Sequence, residues 1–231
     1  MFGSGRFRLI FMVRFLAYFL IQVGLLTIIL TSEPVISEEV KFDVRQILGI
    51  RDVVPHVVTS QGTKTDDSQN SFADVIKNGG KQVVIPVSTD FGIVIEKIGA
   101  NARVIPNVDP GNEAVYGPAL MEGVAHAKGT AFPGQKGNIY LFAHSTDAPW
   151  DIVRYNAIFF LLNKLDLDDR IILFYKGRRY DYIVFDKTIA KPADVHFLTD
   201  TYSDSVLTLQ TCDPPGTLIN RLIVRAKLAS D

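Results

Sequence analysis

The run SVLTLQTCDPPGTLINRLIVRAKL, residues 205–228, contains two β-rich segments joined by a short connection. The first segment is apolar and β-branched, and it ends at Cys212 just before a DPPG turn. The second segment starts at Arg221 and alternates apolar with polar residues, as half-buried strands do. We therefore expect neighbouring antiparallel strands that bring Cys212 and Arg221 close together.

Similar β-rich segments recur between turn signals along the C-terminal two thirds of the chain. They occupy residues 82–88, 91–98, 102–108, 123–131, 138–145, 170–175 and 179–185. Only two stretches there, 112–122 and 156–165, have a helical pattern. This pattern predicts an all-β domain, a closed or nearly closed antiparallel β-barrel of about eight strands with one or two short helices.

The N-terminus is a separate apolar segment. Basic residues up to Arg14 precede an apolar run at 15–30, and counting from Leu9 the run is 22 residues long. This length suffices for a transmembrane helix, and the basic flank predicts a cytoplasmic N-terminus with the rest of the chain outside. A cleaved secretory signal is the alternative, and it would export the same residues.

Composition divides the chain into three parts. Residues 1–31 form the predicted cytoplasmic tip and signal-anchor, and residues 81–231 form the β-barrel domain. Between them, residues 32–80 are polar and rich in Ser, Thr, Gln, Asp and Gly toward their end, which is typical of a flexible spacer. A short helix is expected at 40–48.

Charge and cysteine content narrow the function classes. The net charge is −1, with 24 basic and 25 acidic residues, and there is no finger, helix-turn-helix or aromatic-basic RNA motif. Nucleic-acid binding is therefore not expected. Cys212 is the only cysteine, so an exported domain cannot pair it within the chain. It is either a buried small apolar residue or a reactive thiol.

A cysteine nucleophile needs a base or a cation nearby. His144 is the strongest candidate because it ends a strand, as Cys212 does, and strand ends can meet at one rim of a barrel. His126 is the second candidate, whereas His56 lies in the predicted spacer and His196 in a loop. Arg221 could stabilise a thiolate or an oxyanion, and Arg225 is a weaker alternative on the same strand face.

The segment Thr208-Leu209-Gln210-Thr211-Cys212 resembles the TLxTC motif of the sortases. Upstream, GVAHAKGTAFPGQKGNIYLFAHS (123–145) resembles the sortase segment in which a PG-x-x-GN turn leads into the strand of the catalytic histidine. The chain order of histidine, cysteine and arginine, and the single N-terminal anchor, are also those of the family. Ala143 departs from the glycine that many relatives have before the histidine.

The resemblance implies that His144, Cys212 and Arg221 are the triad of a cysteine transpeptidase, with Thr211 helping to position the substrate. The implied substrates are secreted proteins with an LPxTG-like sorting motif, and the implied acceptor is a peptidoglycan-precursor or pilin amine. The enzyme would sit in the cell membrane with its domain extracellular. The loop at 187–204 and Trp150 are candidates for lining the substrate groove.

No cofactor or metal is expected. The chain has no CxxC or HExxH motif, and the acidic residues Asp166, Asp168 and Asp169 are more typical of a solvated turn than of the calcium site of some sortases.

Two other functions remain open from the residues alone. A peptidoglycan L,D-transpeptidase is one, although its SxGC-type motif is absent. A membrane-tethered β-domain for wall binding or adhesion, with an inert buried cysteine, is the other.

Overall fold

The structure is a computed structural model, and it describes residues 4–54, 81–145 and 157–229. A long helix α1 (Ser4–Ile47) is followed by the short strands β1 (Arg51–Val53) and β2 (Lys81–Val83). The remaining elements are β3 (Phe91–Ile95), β4 (Ala100–Val108), α2 (Glu113–Glu122), β5 (Val124–Ala127), β6 (Gly137–Phe142), β7 (Arg170–Tyr175), β8 (Arg178–Ala190), α3 (His196–Thr199), β9 (Ser205–Asp213) and β10 (Asn220–Leu228). Single 3₁₀ turns lie at Glu96–Ile98 and Leu162–Lys164.

Eight strands close into one barrel in the order β10-β8-β7-β3-β4-β5-β6-β9, which confirms the predicted all-β barrel. Most neighbours are antiparallel, but β4 pairs with β5 and β6 pairs with β9 in parallel. Parallel neighbours need a crossover connection. Helix α2 supplies it between β4 and β5, and the excursion through β7 and β8 supplies it between β6 and β9.

The barrel interior is filled by the inward-facing residues of the strands, such as Ile93, Leu141, Leu173 and Leu209, all fully buried. A second apolar layer lies outside the barrel, where α2 and α3 cover the outer faces of β5, β6 and β10. The functional site is therefore built against a double-layered and rigid part of the fold.

The segment predicted as a helix at 156–165 is instead a series of turns with one 3₁₀ turn, over the residues described from 157 onward. The consecutive residues Phe159, Phe160, Leu161 and Leu162 are all buried in the barrel core. Turns direct side chains to all sides, which suits a plug surrounded by barrel walls, whereas a short helix presents one apolar face. The helix predicted at 112–122 is present, and the Asn112 side chain caps it by accepting from the Ala114 N–H at 3.1 Å.

Helix α1 contains one stretch long and apolar enough to cross a membrane, Arg8–Thr27, with a mean hydropathy of 2.2 and no buried residues. The helix then continues to Ile47 and includes the short helix predicted at 40–48. The predicted spacer is thus helical in its first part, and its residues 55–80 lie outside the described residues.

The end of α1 is attached to the barrel. Phe42 packs against the barrel core, and Glu39 lies 3.8 Å from the ammonium of Lys164. Arg45 forms a salt bridge with the buried carboxylate of Asp52, in strand β1 just after the helix. Strand β1 pairs in parallel with β2, and Val54 beyond it is buried. Residues 39–54 therefore belong structurally to the barrel domain.

This attachment predicts a stability difference between two soluble fragments. A chain starting at Lys81 lacks Val54, which packs on Val94, Ile172 and Phe174, whereas a chain starting at Ser37 keeps it. Burying one such side chain is worth about 1.5–3 kcal/mol, so we expect the shorter fragment to unfold at a lower urea concentration. Equal midpoints for the two fragments would show that residues 37–80, Val54 included, do not stabilise the barrel.

Candidate active site

Cys212 and Arg221 lie opposite each other on neighbouring antiparallel strands. In the register of β9 and β10, Cys212 pairs with Arg221, and Asn220 pairs with Asp213 at the open end. Directly opposed residues on antiparallel strands point to the same face of the sheet. The guanidinium and the thiol therefore share one surface of the barrel.

His144 reaches this surface from the other side of β9. Strand β6 pairs in parallel with β9, with Phe142 beside Gln210. Beyond the ladder, the Ala143 N–H donates to the Gln210 carbonyl at 3.2 Å, and the Thr211 hydroxyl donates to the Ala143 carbonyl at 2.9 Å. These two bonds keep the ends of β6 and β9 aligned for one residue beyond the last ladder pair. His144 and Cys212 thus end two adjacent strands at the same end of the barrel.

The three side chains line one cavity of about 550 Å³ on the outside of the barrel. Its floor consists of the outer faces of β6, β9 and β10. One wall comes from α2 and the turn before it, and the other from residues 192–198. The structure thus places part of the loop predicted to line the groove, 187–204, at the cavity. Trp150 lies outside the described residues.

Cys212 is not fully buried. Cys212, His144 and Arg221 are all half-buried, and each contributes to the lining of the cavity. This observation contradicts the expectation, in one alternative, that Cys212 is fully buried. A thiol, an imidazole and a guanidinium around one cavity can together perform acyl transfer through a thioester, since they supply a nucleophile, a proton donor and an oxyanion partner.

Thr211 faces the barrel interior and is buried, with its hydroxyl committed to the Ala143 carbonyl. It also borders the cavity. The structure thus gives the Thr211 hydroxyl a contact that aligns the ends of β6 and β9.

Among the cavity residues missed from the sequence, Tyr140 and Gln210 form a hydrogen-bonded pair. The Tyr140 hydroxyl donates to the Gln210 side-chain oxygen at 2.5 Å. Burial raises the pKa of Tyr140 far above its usual value, and the positive charge of Arg221 offsets only part of that rise. Tyr140 is therefore a neutral hydrogen-bond donor. The sequence signal for Tyr140 was its position, since residues 140, 142 and 144 alternate onto one face of β6 and its continuation.

The other described histidines lie elsewhere. The His126 ring is buried, with Nδ1 accepting from the Asn107 N–H at 3.3 Å and Nε2 lying 3.0 Å from both the Ala131 carbonyl and the Thr130 hydroxyl. His196 is exposed on α3 and bonded to Asp194. His56 lies outside the described residues.

The remaining charged candidates have structural contacts. Arg225 bonds to Asp186 at 3.0 Å and to the Tyr202 hydroxyl at 3.2 Å. Lys97 bridges Asp166 and Asp169 at 2.7 and 2.8 Å, and its ammonium lowers the pKa of Asp166. Among the described residues, no group of three or more His, Cys, Asp or Glu side chains could hold a metal ion.

Comparison with known proteins agrees with this geometry. The sequence profile of the Sortase domain matches residues 93–229, more than half of the chain. The chain belongs to the sortase family. Sortases are cysteine transpeptidases, and the cavity with Cys212 lies within the matched region. No curated protein sequence matches the chain.

Solved sortase structures share the fold. Sortase C-1 from Actinomyces oris is 26% identical, with a TM-score of 0.52 over 63% of this chain and 76% of that one. The pilus-related sortase C of Group B Streptococcus is 24% identical, with a TM-score of 0.51 over 62% and 69% of the two chains. A Clostridium perfringens sortase D5 transpeptidase is 24% identical, with a TM-score of 0.50 over 61% and 79%.

A buried neutral histidine makes this sortase less stable in acid. Burial lowers the pKa of His126 below 6.5. As the pH falls, the unfolded chain therefore binds a proton at this residue at a higher pH than the folded chain does. The contribution to stability is complete above about pH 6.5 and is lost as the pH falls toward the folded pKa. Urea unfolding at pH 7.5 and 5.0 should therefore show a smaller pH dependence for His126→Gln than for wild type. An unchanged dependence would mean that His126 does not titrate differently on unfolding.

The bond from Thr211 to Ala143 should matter for turnover more than for folding. Thr211→Val keeps the shape but removes the donor that aligns the end of β6. We expect a several-fold loss of kcat, in keeping with about 0.5–1.5 kcal/mol for one hydrogen bond. Thr208→Val is the matched control, since the Thr208 hydroxyl donates to Asn138 at 2.8 Å on the same strand, away from the cavity. Equal effects of both variants would contradict a role of Thr211 in aligning His144.

Proposed function

We propose that this sortase is a membrane-anchored transpeptidase that cleaves an LPxTG-like C-terminal sorting motif between Thr and Gly and transfers the new carboxyl end to an amine. The observation that carries this proposal is the convergence of His144, Cys212 and Arg221 from three adjacent strands on one open cavity.

In the first half of the reaction, the Cys212 thiolate would bond to the carbonyl carbon of the Thr residue. The negative charge that develops on the carbonyl oxygen is stabilised by a nearby cation, the role proposed for Arg221. The C–N bond then breaks as the His144 imidazolium gives its proton to the leaving nitrogen of Gly. A thioester on Cys212 remains.

In the second half, an amine from a peptidoglycan precursor or a pilin lysine would attack the thioester carbonyl. His144, now neutral, takes the proton of the attacking nitrogen, and the Cys212 thiolate leaves. The new amide bond joins the sorted protein to its acceptor, and the starting ion pair is restored.

The ion pair of thiolate and imidazolium sets a limit on the rate. With ordinary pKa values of 8.5 for Cys and 6.5 for His, this pair makes up only about 1% of the neutral pair. A positive charge beside the sulfur favours the thiolate, and Arg221 lies directly opposite Cys212. Arg221 would thus serve both the nucleophile and the oxyanion.

The anchor supports the location that we propose. The apolar stretch Arg8–Thr27 has no buried residue, which is consistent with a membrane-spanning segment. With basic residues on its N-terminal side, we propose a cytoplasmic N-terminus and an extracellular barrel. Secreted proteins and wall or pilin amines are then on the side where the cavity is.

The full chain in detergent, incubated with an LPxTG-type peptide library and hydroxylamine, tests this function. We expect hydroxamates that end at Thr, none of them with Cys212→Ala, and the same loss with His144→Ala. Arg221→Lys should lower kcat roughly 10²–10³-fold, the usual effect of losing an oxyanion donor.

Arg225→Lys is the matched control, since it makes the same change on the same strand outside the cavity, and it should retain most of the activity. Hydroxamates that persist with Cys212→Ala would rule out the thioester. Failure of the wild type to cut any peptide, together with resistance of Cys212 to iodoacetamide, would favour a tethered binding domain instead.

A further inference from the structure

Tyr140 and Gln210 form a pair inside the cavity, beside the residues assigned to chemistry. Tyr140 lies on the face of β6 that leads to His144, and Gln210 lies on the face of β9 that leads to Cys212. The bond between the Tyr140 hydroxyl and the Gln210 oxygen, 2.5 Å long, joins the two strands across the cavity floor. The aromatic ring is almost fully buried, so the pair has one fixed geometry.

This bond determines which end of the Gln210 amide is available. A neutral Tyr140 donates to the side-chain oxygen, so the oxygen is occupied and the amide nitrogen remains as the free end. Among the described residues, Gln210 makes no other side-chain hydrogen bond, and it is half-buried in the cavity lining. The cavity floor therefore offers a fixed donor to a ligand.

The distance from the nucleophile indicates what this donor meets. Gln210 precedes Cys212 by two residues, which is about 6.6 Å along a strand. An extended peptide has the same spacing per residue. A substrate whose scissile carbonyl lies at the Cys212 sulfur therefore presents to Gln210 a group about two residues from the cleaved bond.

The shape of the cavity indicates which part of the substrate, the acyl part or the leaving peptide, lies near Gln210. Beyond Gln210 the floor is closed, because Thr208 is fully buried, whereas beyond Cys212 it opens at the exposed residue Leu218. The acyl part must stay bound while the leaving peptide departs, so the closed end suits the acyl part.

We propose that Gln210 is a specificity-determining residue, which donates a hydrogen bond to a carbonyl oxygen of the acyl peptide about two residues before the scissile bond, and that Tyr140 is the positioning residue that fixes its amide. This inference rests on the proposed function. In an LPxTG-like motif that position is Pro, which has no N–H and offers only its carbonyl, so a donor at Gln210 matches it.

The test is steady-state kinetics of the full chain in detergent with an LPxTG-type peptide and hydroxylamine. We compare wild type with Tyr140→Phe, Gln210→Met and the double variant. Each single change should raise KM roughly 3–10-fold with kcat nearly unchanged, the size of one hydrogen bond. The KM of the double variant should not exceed the higher of the two single-variant KM values, because the two residues act as one unit.

Tyr182→Phe is the matched control. Tyr182 is also fully buried and bonded, to the Ser205 hydroxyl at 3.0 Å, but it lies in the barrel interior outside the cavity. It should leave KM unchanged. A second substrate carries an ester in place of the amide formed by the Pro carbonyl, which makes that carbonyl oxygen a weaker hydrogen-bond acceptor. The KM for this substrate should be higher than for the amide peptide with wild type, but not with Gln210→Met.

The outcomes are distinguishable. A rise in KM confined to the cavity variants, with a non-additive double variant, supports the pair. If the wild type cuts the peptide but Tyr140→Phe and Gln210→Met match it, or lose kcat at constant KM, the inference is wrong while the proposed function stands. If the wild type itself produces no hydroxamate, both fail.

Discussion

The parallel pairing of β6 with β9 is the constraint on which the rest of the site depends. Side chains alternate along a strand, so a slip of one residue would turn either His144 or Cys212 away from the cavity. The register is held where strands usually fray, by the Ala143 N–H on the Gln210 carbonyl and by the Thr211 hydroxyl on the Ala143 carbonyl. Buried hydrogen bonds at this point keep the strand ends in one relative position.

The packed interior of the barrel decides on which surface the chemistry takes place. Leu141, Leu207 and Leu209 fill the inside, so no substrate can enter there. His144, Cys212 and Arg221 therefore face outward, between walls made by α2 and by the segment before α3. In the function that we propose, the strands hold the reacting groups, while the walls and the pair of Tyr140 and Gln210 select the substrate.

The sequence predicted the parts of this site that depend on local pairing. Cys212 and Arg221 could be placed together because only a short connection separates their strands, and His144 followed from its position at a strand end. The parallel contact of β6 with β9 joins residues 68 positions apart, as in the pair of Ala143 and Thr211. No local pattern specifies such a pairing, because it is set by closure of the whole barrel. Tyr140 was missed for a different reason, since an aromatic residue on an alternating strand is equally typical of ordinary packing. The docking of α1 was missed because polar residues predominate around Phe42, a pattern typical of a solvated segment. In the structure Phe42 packs on the barrel core, while Glu39 and Arg45 contact Lys164 and Asp52.

Strand direction links the anchor to the active site. Strand β3 ends, and β7 and β10 begin, at the barrel end where β6 and β9 finish. Helix α1 docks at this same end, through Phe42 on the core and Arg45 beside Asp52 in front of the turn after β3. The helix rises by 18 residue steps from Thr27 to Arg45, which at 1.5 Å per step is about 27 Å. If Arg8–Thr27 spans the membrane as proposed, this helix of fixed length would hold the barrel end that carries Cys212 at a limited distance from the membrane surface. The helix would then contribute to the positioning of the proposed active site as well as to its location.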